Sequence, residues 1–356
     1  MSFTVIIISA DDPADNVRID NIITSVLRDF DYRLINGTDE LMGAELRGQR
    51  LLFAVALGKF GINPAYSRLL YLLRGNTSLL EGCTSAILVD GDSELYTKST
   101  GTELAFALNS AGSALIGRPL VEGTGSLFNF RVQAKLIGVD CRGAYLAAVR
   151  DLAERLENAG FPKREKPKIL ALHASSHRTS NTMQLWQQVC ERLGDSCEIN
   201  EIGLRNGTIS DCSGCPYTMC IHFGEKGRCF YGGMMQEEVW PAVLKADALM
   251  MLCPNYNDAL SANLTAFINR LTGLFRQKRF YDKAVFAIIV SGYSGGDILA
   301  RQVISALNMN KSFFLPPRFA LLETANDPGE VLRLPGIEER LNNFTKNLIQ
   351  TLFISI

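Results

Sequence analysis

The sequence predicts an α/β protein built from two doubly wound parallel-sheet domains. Three observations carry that expectation. Short apolar runs alternate with amphipathic helical segments along the chain, the order that produces a parallel sheet covered on both faces. At 356 residues the chain exceeds what one ordinary core supports, so two domains are the natural division. The succession of elements in the first half also recurs in the second, which points to an internal duplication.

In the first half, TVIIIS (4 to 9) reads as a strand, followed by a helix with Ile19, Ile22, Ile23, Val26 and Leu27 on one face. LLFAVAL (51 to 57) is a second strand, leading to GKFGINPAYSRLLYLLRG. SAILV (85 to 89) is a third, leading to DGDSELYTKSTGTELAFALNSAG. NAGFPKREKPK (158 to 168) is charge-rich, carries two prolines and offers little to pack, so it reads as the linker. The expected domains are 1–160 and 166–356.

The second half opens with KILALH (168 to 173), a polar loop, and a helix with Trp186, Val189, Cys190 and Leu193 at i, i+3, i+4, i+7. ALMML (248 to 252) is the next strand, before a helix carrying Leu264, Phe267, Ile268 and Leu271. AVFAIIV (284 to 290) precedes SGYSGGD and another helix; RFALL (318 to 322) is a fourth strand, and the tail from Gly336 is helical. Pairing the halves puts Ala10 on Ala174, Leu57 on Cys253 and Asp90 on Ser291. The offset grows from 164 to 196 between the first two pairs, so the second half holds 32 additional residues there. That interval contains DCSGCPYTMCIHFGEKGRC, residues 211 to 229.

Composition narrows the function. Apolar residues make up 47% of the chain, ample for packed interiors, and 36 basic side chains balance 37 acidic ones. No electrostatic footprint for nucleic acid or an anionic membrane results. The opening MSFTVIIISADD has no basic n-region and too short an apolar run for a signal peptide. No stretch approaches the roughly 20 apolar residues of a membrane span. The expectation is a cytoplasmic protein with mostly reduced cysteines. In that setting a compact cysteine group points to a metal or redox site before a disulfide framework.

Ligands of doubly wound sheets bind beyond the carboxyl ends of the strands, so three loops of the second half matter most. HASSHRTSNT (173 to 182) is dense in hydroxyls and opens a helix, which suits a phosphate at the helix N-terminus. An ordinary cap by Ser180 or Asn181 explains the same residues, and the nucleotide P-loop pattern is missing. Pro254, Asn255, Tyr256 and Asn257 place an aromatic and two amides at a strand end, which suits a flat heteroaromatic ligand; taken alone, a plain turn explains them. Ser291, Gly292, Tyr293, Ser294 and Gly295 allow close backbone approach to a ligand, or form a simple surface loop. No G-x-G-x-x-G follows a strand, so a dedicated Rossmann dinucleotide site is not indicated.

Together and in this order, the loops resemble those of the flavodoxin-like NAD(P)H-dependent FMN reductases. Ser175, Ser180, Asn181 and Thr182 match that family's Gly-Ser-Pro-Arg-x-x-Ser-Asn-Thr phosphate loop, with Ser176 and His177 where it has Pro and Arg. PNYN matches its Pro-x-Tyr turn against the isoalloxazine ring, and SGYSGG resembles its third flavin loop. ANLTAFINRL resembles its Lys-x-Phe-Ile-Asp-Arg helix, with Thr265 and Asn269 as departures. The resemblance covers about 166 to 322. It implies a flavodoxin-like fold with FMN held by Ser175, His177, Ser180, Asn181, Thr182, Pro254 to Asn257 and Ser291 to Gly295. It also implies NAD(P)H as co-substrate and a small-molecule or redox-protein electron acceptor. The flavin carries the chemistry, so no catalytic side chain is named.

The family's iron–sulfur flavoprotein branch carries a compact cysteine motif at this topological point, with a shorter gap between its second and third cysteines. By that resemblance Cys212, Cys215, Cys220 and Cys229, spaced C-x2-C-x4-C-x8-C, hold a [4Fe–4S] cluster that takes single electrons from the flavin. A zinc site from three cysteines plus Cys229 or His222, and a metal-free loop, stay open.

The first-half counterpart of the phosphate loop is SADDPADN, 9 to 16. Asp11, Asp12 and Asp15 would repel a phosphate by about 1 to 4 kcal/mol per charge pair at a few ångströms. GKFG replaces PNYN, and no cysteine segment is present. The first half is therefore expected to be a degenerate flavodoxin-like domain without FMN. Because the family commonly assembles as dimers, it would stand in for a partner subunit; a monomeric pseudo-dimer and a homodimer are both open. Two rival functions are kept: an iron–sulfur flavoprotein that moves electrons between carriers without nicotinamide, and a non-enzymatic binding protein on the same fold.

Overall fold

The computed structural model describes residues 2–175 and 180–354. The chain divides into two compact units, residues 1–160 and 161–356. In the first unit the elements are β1 (Phe3–Ile8), α1 (Pro13–Ser25), β2 (Tyr32–Asn36), α2 (Gly37–Met42), β3 (Arg50–Ala56), α3 (Pro64–Gly75), β4 (Thr84–Asp90), α4 (Thr97–Ser110), β5 (Ala114–Gly123), α5 (Arg131–Ile137) and α6 (Cys141–Glu157). All strands are parallel, in the order β2-β1-β3-β4-β5. This is the doubly wound order whose ligand crevice opens at the β1/β3 switch point.

The second unit repeats it with β6 (Lys168–His173), α7 (Asn181–Leu193), β7 (Glu198–Gly203), α8 (Tyr217–Gly224), α9 (Trp240–Lys245), β8 (Ala248–Pro254), α10 (Ala262–Gln277), β9 (Ala284–Ser291), α11 (Gly296–Val303), β10 (Ala320–Thr324) and α12 (Ile337–Leu352). Its parallel sheet runs β7-β6-β8-β9-β10. β6, β8 and β9 thus occupy the places of β1, β3 and β4. The residue pairs Ala10/Ala174, Leu57/Cys253 and Asp90/Ser291 all fall at the carboxyl ends of equivalent strands. The additional residues of the second unit lie between β7 and α9 and include α8 and a π-helical turn, Met235–Val239.

The central strands are buried along nearly their whole length because helices cover both faces. On one face of the second sheet, Trp186, Val189 and Leu193 of α7 and Leu341, Phe344 and Leu348 of α12 pack on Met250, Phe286 and Ile288. Arg164 pairs through its backbone with Phe353 and forms an ion pair with Asp247 at 3.1 Å, so the linker's end is fastened to this unit. β10 begins two residues later than RFALL suggests, because Arg318 adopts φ +46 in a turn ahead of it. No helix among the described residues is long and apolar enough to cross a membrane.

Candidate functional site

Asn255, directly after β8, is the hub of the candidate site. Its backbone N–H donates to Val290 O at 2.8 Å. Its Nδ2 donates to Ser291 Oγ (3.1 Å), Ser294 O (3.0 Å) and Asp258 Oδ1 (3.3 Å), while its Oδ1 accepts from Asp258 N–H at 2.9 Å. One short amide therefore ties the loop after β8 to the loop after β9. Tyr256 and Ala259 pair across a two-residue turn in which Asn257 and Asp258 have φ +54 and +57. That is the type I′ pattern, and Asn and Asp are the non-glycine residues that best tolerate it. The turn presents the Tyr256 side chain to solvent at 59% exposure, and Tyr293 on the neighbouring loop is 84% exposed.

Gly295 is required here on two grounds. Its φ is +88, and a Cβ would stand 2.2 Å from Asp258 Oδ1 and 3.0 Å from Asn255 Nδ2. Leu260 N–H donates to Gln302 Oε1 at 3.0 Å, and Gln302 Nε2 returns a bond to Asp258 O at 2.9 Å, which anchors the turn to α11. The sequence-predicted residues Pro254 to Asn257 and Ser291 to Gly295 are thus brought together in one frame.

The first loop is different. Ser180 is the N-cap of α7 by backbone conformation, but its side chain makes no capping bond. His177, with Ser176, lies outside the described residues. Ser175 O lies 3.1 Å from His173 Nδ1; His173 Nε2 is 3.5 Å from Glu201 Oε1, whose other oxygen accepts from the Trp186 indole at 3.1 Å. Thr182 is buried. Asn181 Nδ2 donates to Asp327 O (2.9 Å) and Ala325 O (3.4 Å), and its Oδ1 accepts from Gly329 N–H (2.9 Å). Its amide is therefore committed to the backbone after β10 and joins the start of α7 to that loop.

The loop after β10 was not singled out in the sequence. Its Ala325 N–H donates to Ser291 O at 2.9 Å. Backbone N–H groups of Asp327 and Asn326 hold the Glu330 carboxyl below its ordinary range. The signal was present as Asn-Asp-Pro-Gly, a turn sequence directly after a strand.

α10 holds the cysteine segment with its polar face. Arg270, 5% exposed, donates through Nη1 to Ser210 O and Oγ and through Nη2 to Gly232 O at 2.7 Å, spanning both ends of the segment. Asn269 Nδ2 donates to Asp211 Oδ1 at 2.9 Å. A carboxylate at 269, as in the family pattern, would instead face Asp211 with like charge. Cys212 is exposed and Cys215, Cys220 and Cys229 are half-buried. All four line one cavity of about 130 Å³ together with Met219, Phe223 and Phe230. Among the described residues no group of three or more His, Cys, Asp or Glu side chains is drawn together closely enough to hold a metal ion. His222 Nε2 lies 3.1 Å from Lys226 Nζ. Cys253 and Cys197 are core residues; burial first, then the Glu201 charge, pushes the Cys190 thiol up to about 12.

At the equivalent strand ends of the first unit, the polar groups satisfy one another. Asn16 closes on Ala10, accepting from its N–H at 2.8 Å and donating to its O at 3.0 Å. Asp12 caps α1 by accepting from Ala14 N–H at 2.9 Å. Arg18 Nε bonds both oxygens of Asp90 (2.7 and 2.8 Å), and its Nη2 reaches Gly91 O and Gly123 O. Tyr145 O–H donates to Asp90 Oδ2 at 2.6 Å. Asp90 is 3% exposed, and burial raises its pKa by more than Arg18 and Tyr145 lower it.

Residues 167–327 match a family model described as NADPH-dependent FMN reductase. No curated protein matches the chain by sequence. Among solved structures, the NAD(P)H:quinone oxidoreductase from Methanothermobacter marburgensis aligns over 53% of this chain and 100% of its own, at 14% identity and a TM-score of 0.41. Smu.1420 from Streptococcus mutans UA159 aligns over 52% and 98%, at 17% identity and a TM-score of 0.36. The FMN-dependent NADH-azoreductase from Bacillus anthracis str. Ames Ancestor, in complex with FMN, aligns over 51% and 98%, at 13% identity and a TM-score of 0.34. Residues 167–327, which lie within the second unit, are thus similar to the NADPH-dependent FMN reductases, and the match spans somewhat less than half of the chain.

Proposed function

We propose that the second unit holds one FMN at the carboxyl ends of β6, β8 and β9 and passes electrons from NAD(P)H to a small-molecule or redox-protein acceptor, while the first unit holds no flavin. The observation that carries this reading is the frame centred on Asn255. It fixes two loops against each other, keeps Gly295 bare of a Cβ and displays two tyrosines to solvent. Such a frame fits a flat ring with polar edges: side chains supply apolar faces, and the glycine-containing backbone supplies close N–H donors. Pro254, Asn255, Tyr256 and Asn257 would bound the ring on one side and Ser291, Gly292, Tyr293, Ser294 and Gly295 on the other.

Ser175, His177, Ser180 and Thr182 belong to the loop that would take the phosphate at the start of α7. Asn181 positions that loop by its bonds to the 325–329 backbone. When bound, FMN supplies the two-electron chemistry. The protein's part is to orient the ring and to shield it from water.

In the first unit, Arg18, Asp90 and Tyr145 at the strand ends satisfy one another. The test is flavin content of the full-length protein after reconstitution with FMN, with NAD(P)H oxidation measured in the presence of a quinone acceptor. One FMN per chain supports the proposal. Two per chain, or none with no NAD(P)H oxidation, refutes it.

A second reading is favoured by the shared cavity of the four thiols: the segment 211–229 carries a [4Fe–4S] cluster and the protein acts as an iron–sulfur flavoprotein. The donor set has the number and chemistry such a cluster takes. Anaerobic protein should then contain about four iron and four acid-labile sulfide per chain, lowered by Cys→Ala at 212, 215, 220 or 229 and unchanged at Cys253. Zinc without sulfide would make the segment a structural metal site, and neither would make it a metal-free loop beside the flavin domain.

A further inference from the structure

In the first unit the segments that follow β3, β4 and β5 all carry bare apolar side chains. Phe60 and Ile62 stand after β3, Leu95 and Tyr96 after β4, and Phe128, Val132, Leu136 and Val139 after β5. At the offset of 196 between the two halves, Phe60 is the counterpart of Tyr256. The first unit thus keeps an exposed aromatic at that strand end, although Arg18, Asp90 and Tyr145 satisfy one another nearby.

These segments form one surface. A Cβ on Gly61 would stand 2.5 Å from the Tyr96 ring, so the loop after β3 lies directly on the loop after β4. Gly125 N–H donates to Ser93 O at 3.1 Å and Ser126 N–H to Glu94 Oε1 at 2.7 Å, which joins the loop after β4 to the one after β5. From there Phe128, Val132 and Leu136 recur every four residues as one stripe leading into and along α5. Phe130 and Ala134, on the other side, enter the core. Phe60, Tyr96 and Leu127 hold the three turns at φ +62, +79 and +57, a region that bulky residues seldom occupy. Glycine would take it freely, yet a large apolar residue stands at each.

Size and charge select the partner. The eight side chains are between 45% and 78% exposed. At about 150–200 Å² for each when fully bare, they present about 750–1,000 Å² of apolar surface. The largest patch on an ordinary monomer is about 300–600 Å², whereas each partner in a standard interface supplies about 800 Å². The stretches 58–63, 91–98 and 124–140 hold four basic and three acidic residues, too even a balance to steer a strongly charged protein or an anionic lipid surface. Arg131 and Lys135 lie on α5, and Asp92 and Glu94 on the loop after β4. A two-fold axis between those elements sets opposite charges across the contact.

We propose that this face of the first unit docks a second copy of the chain, giving a two-fold dimer. The strand ends that frame the candidate site in the second unit serve assembly in the first. This inference concerns the first unit alone and does not depend on flavin.

Sedimentation equilibrium of the full-length protein tests it. At about 50 μM the wild type should have the mass of two chains. Phe60→Glu and Leu136→Glu should each weaken the dimer about thirtyfold or more. Tyr71→Glu, on α3 outside these segments and equally bare, should leave it unchanged. Circular dichroism checks that each variant folds, which the exposure of all three positions favours. In the wild type, amide exchange over 128–139 should slow as protein concentration rises. A wild type of one-chain mass overturns the proposal, and so does a dimer that both Phe60→Glu and Leu136→Glu leave intact. A one-chain protein that floats with phosphatidylglycerol vesicles would assign the face to lipid and overturn it as well.

Discussion

Gly295→Ala probes the candidate site with two separable costs. The residue has φ +88, where an L side chain costs about 1–2 kcal/mol. The new methyl would also start 2.2 Å from Asp258 Oδ1 and 3.0 Å from Asn255 Nδ2. Asp258 must then swing away, which removes its bond to Asn255 Nδ2, a loss of about 0.5–1.5 kcal/mol. The sum is about 1.5–3.5 kcal/mol. At about 2–4 °C per kcal/mol for a unit of this size, thermal unfolding should fall by about 3–14 °C.

Gly207→Ala is the control. Its φ is +83 but a Cβ there meets nothing within 4 Å, so it carries the conformational cost alone and should shift Tm by about half as much. Because Asn255 loses its Asp258 partner in Gly295→Ala, FMN affinity should drop by about tenfold or more in that variant and hold in Gly207→Ala. The assays are calorimetric unfolding of the apoprotein and fluorescence titration with FMN. Equal Tm shifts for the two variants, or full FMN affinity in Gly295→Ala, would refute the reasoning.

Asn181→Ala should cost about 1–3 kcal/mol in urea unfolding through its lost bonds to the 325–329 backbone. Asn181→Asp should cost more, since a carboxylate would face Ala325 O and Asp327 O, and it should weaken FMN more than riboflavin; wild-type stability in both variants would remove Asn181 from its positioning role. Burial raises Asp90 above its ordinary 3.8, so the folded first unit keeps that proton where the unfolded chain releases it. The contribution is full below the unfolded value and lost as pH rises through the folded one. Asp90→Asn should therefore reduce the fall in stability over that window, and parallel pH profiles for variant and wild type would contradict the assignment. Arg270→Met should free both ends of the cysteine segment, read as faster limited proteolysis between residues 205 and 232 with β-sheet content retained; unchanged cleavage would show that Arg270 does not hold it.

Apart from RFALL, which became the edge strand β10, the strands that the sequence made legible are the ones buried on both faces. β1, β3, β4, β6, β8 and β9 are continuous apolar runs because helices cover each side of a parallel sheet. The other edge strands lack that signal. β2 and β7 each bury a single side chain, Ile35 and Ile202. β5 is interrupted at Gly117, Arg118 and Pro119, where the register to β4 shifts and Arg118 takes φ +53; proline is tolerated at such an edge irregularity. The PNYN and SGYSGG loops were legible because their backbone conformations demand particular residue types locally. Asn181 was legible as a polar residue at a helix start, but its partners lie up to 148 positions away. Arg270 and the 325–330 loop share that difficulty, since their roles depend on tertiary pairing that no local pattern encodes.

The two units start from one topology and differ in who satisfies the polar groups at the strand ends. In the first, Arg18 reaches across to Asp90 and to the carbonyls of Gly91 and Gly123, and Tyr145 completes the carboxylate. Every one of those bonds is internal, so the charge of Asp90 is answered within the unit itself. In the second, the place of Asp90 is taken by Ser291, whose hydroxyl accepts from Asn255. A neutral serine needs no guanidinium to neutralise it, so no long side chain has to cross the strand ends. Tyr256 and Tyr293 beside it are exposed to solvent. The exchange of a carboxylate for a hydroxyl at one strand end thus separates a first unit whose Arg18, Asp90 and Tyr145 pair with one another along a cavity of about 490 Å³ from a second unit whose Ser291 pairs with Asn255. Ser291→Asp should begin to reverse the difference, placing a carboxylate where the serine hydroxyl now accepts from Asn255 and reducing FMN affinity while the first unit unfolds as before.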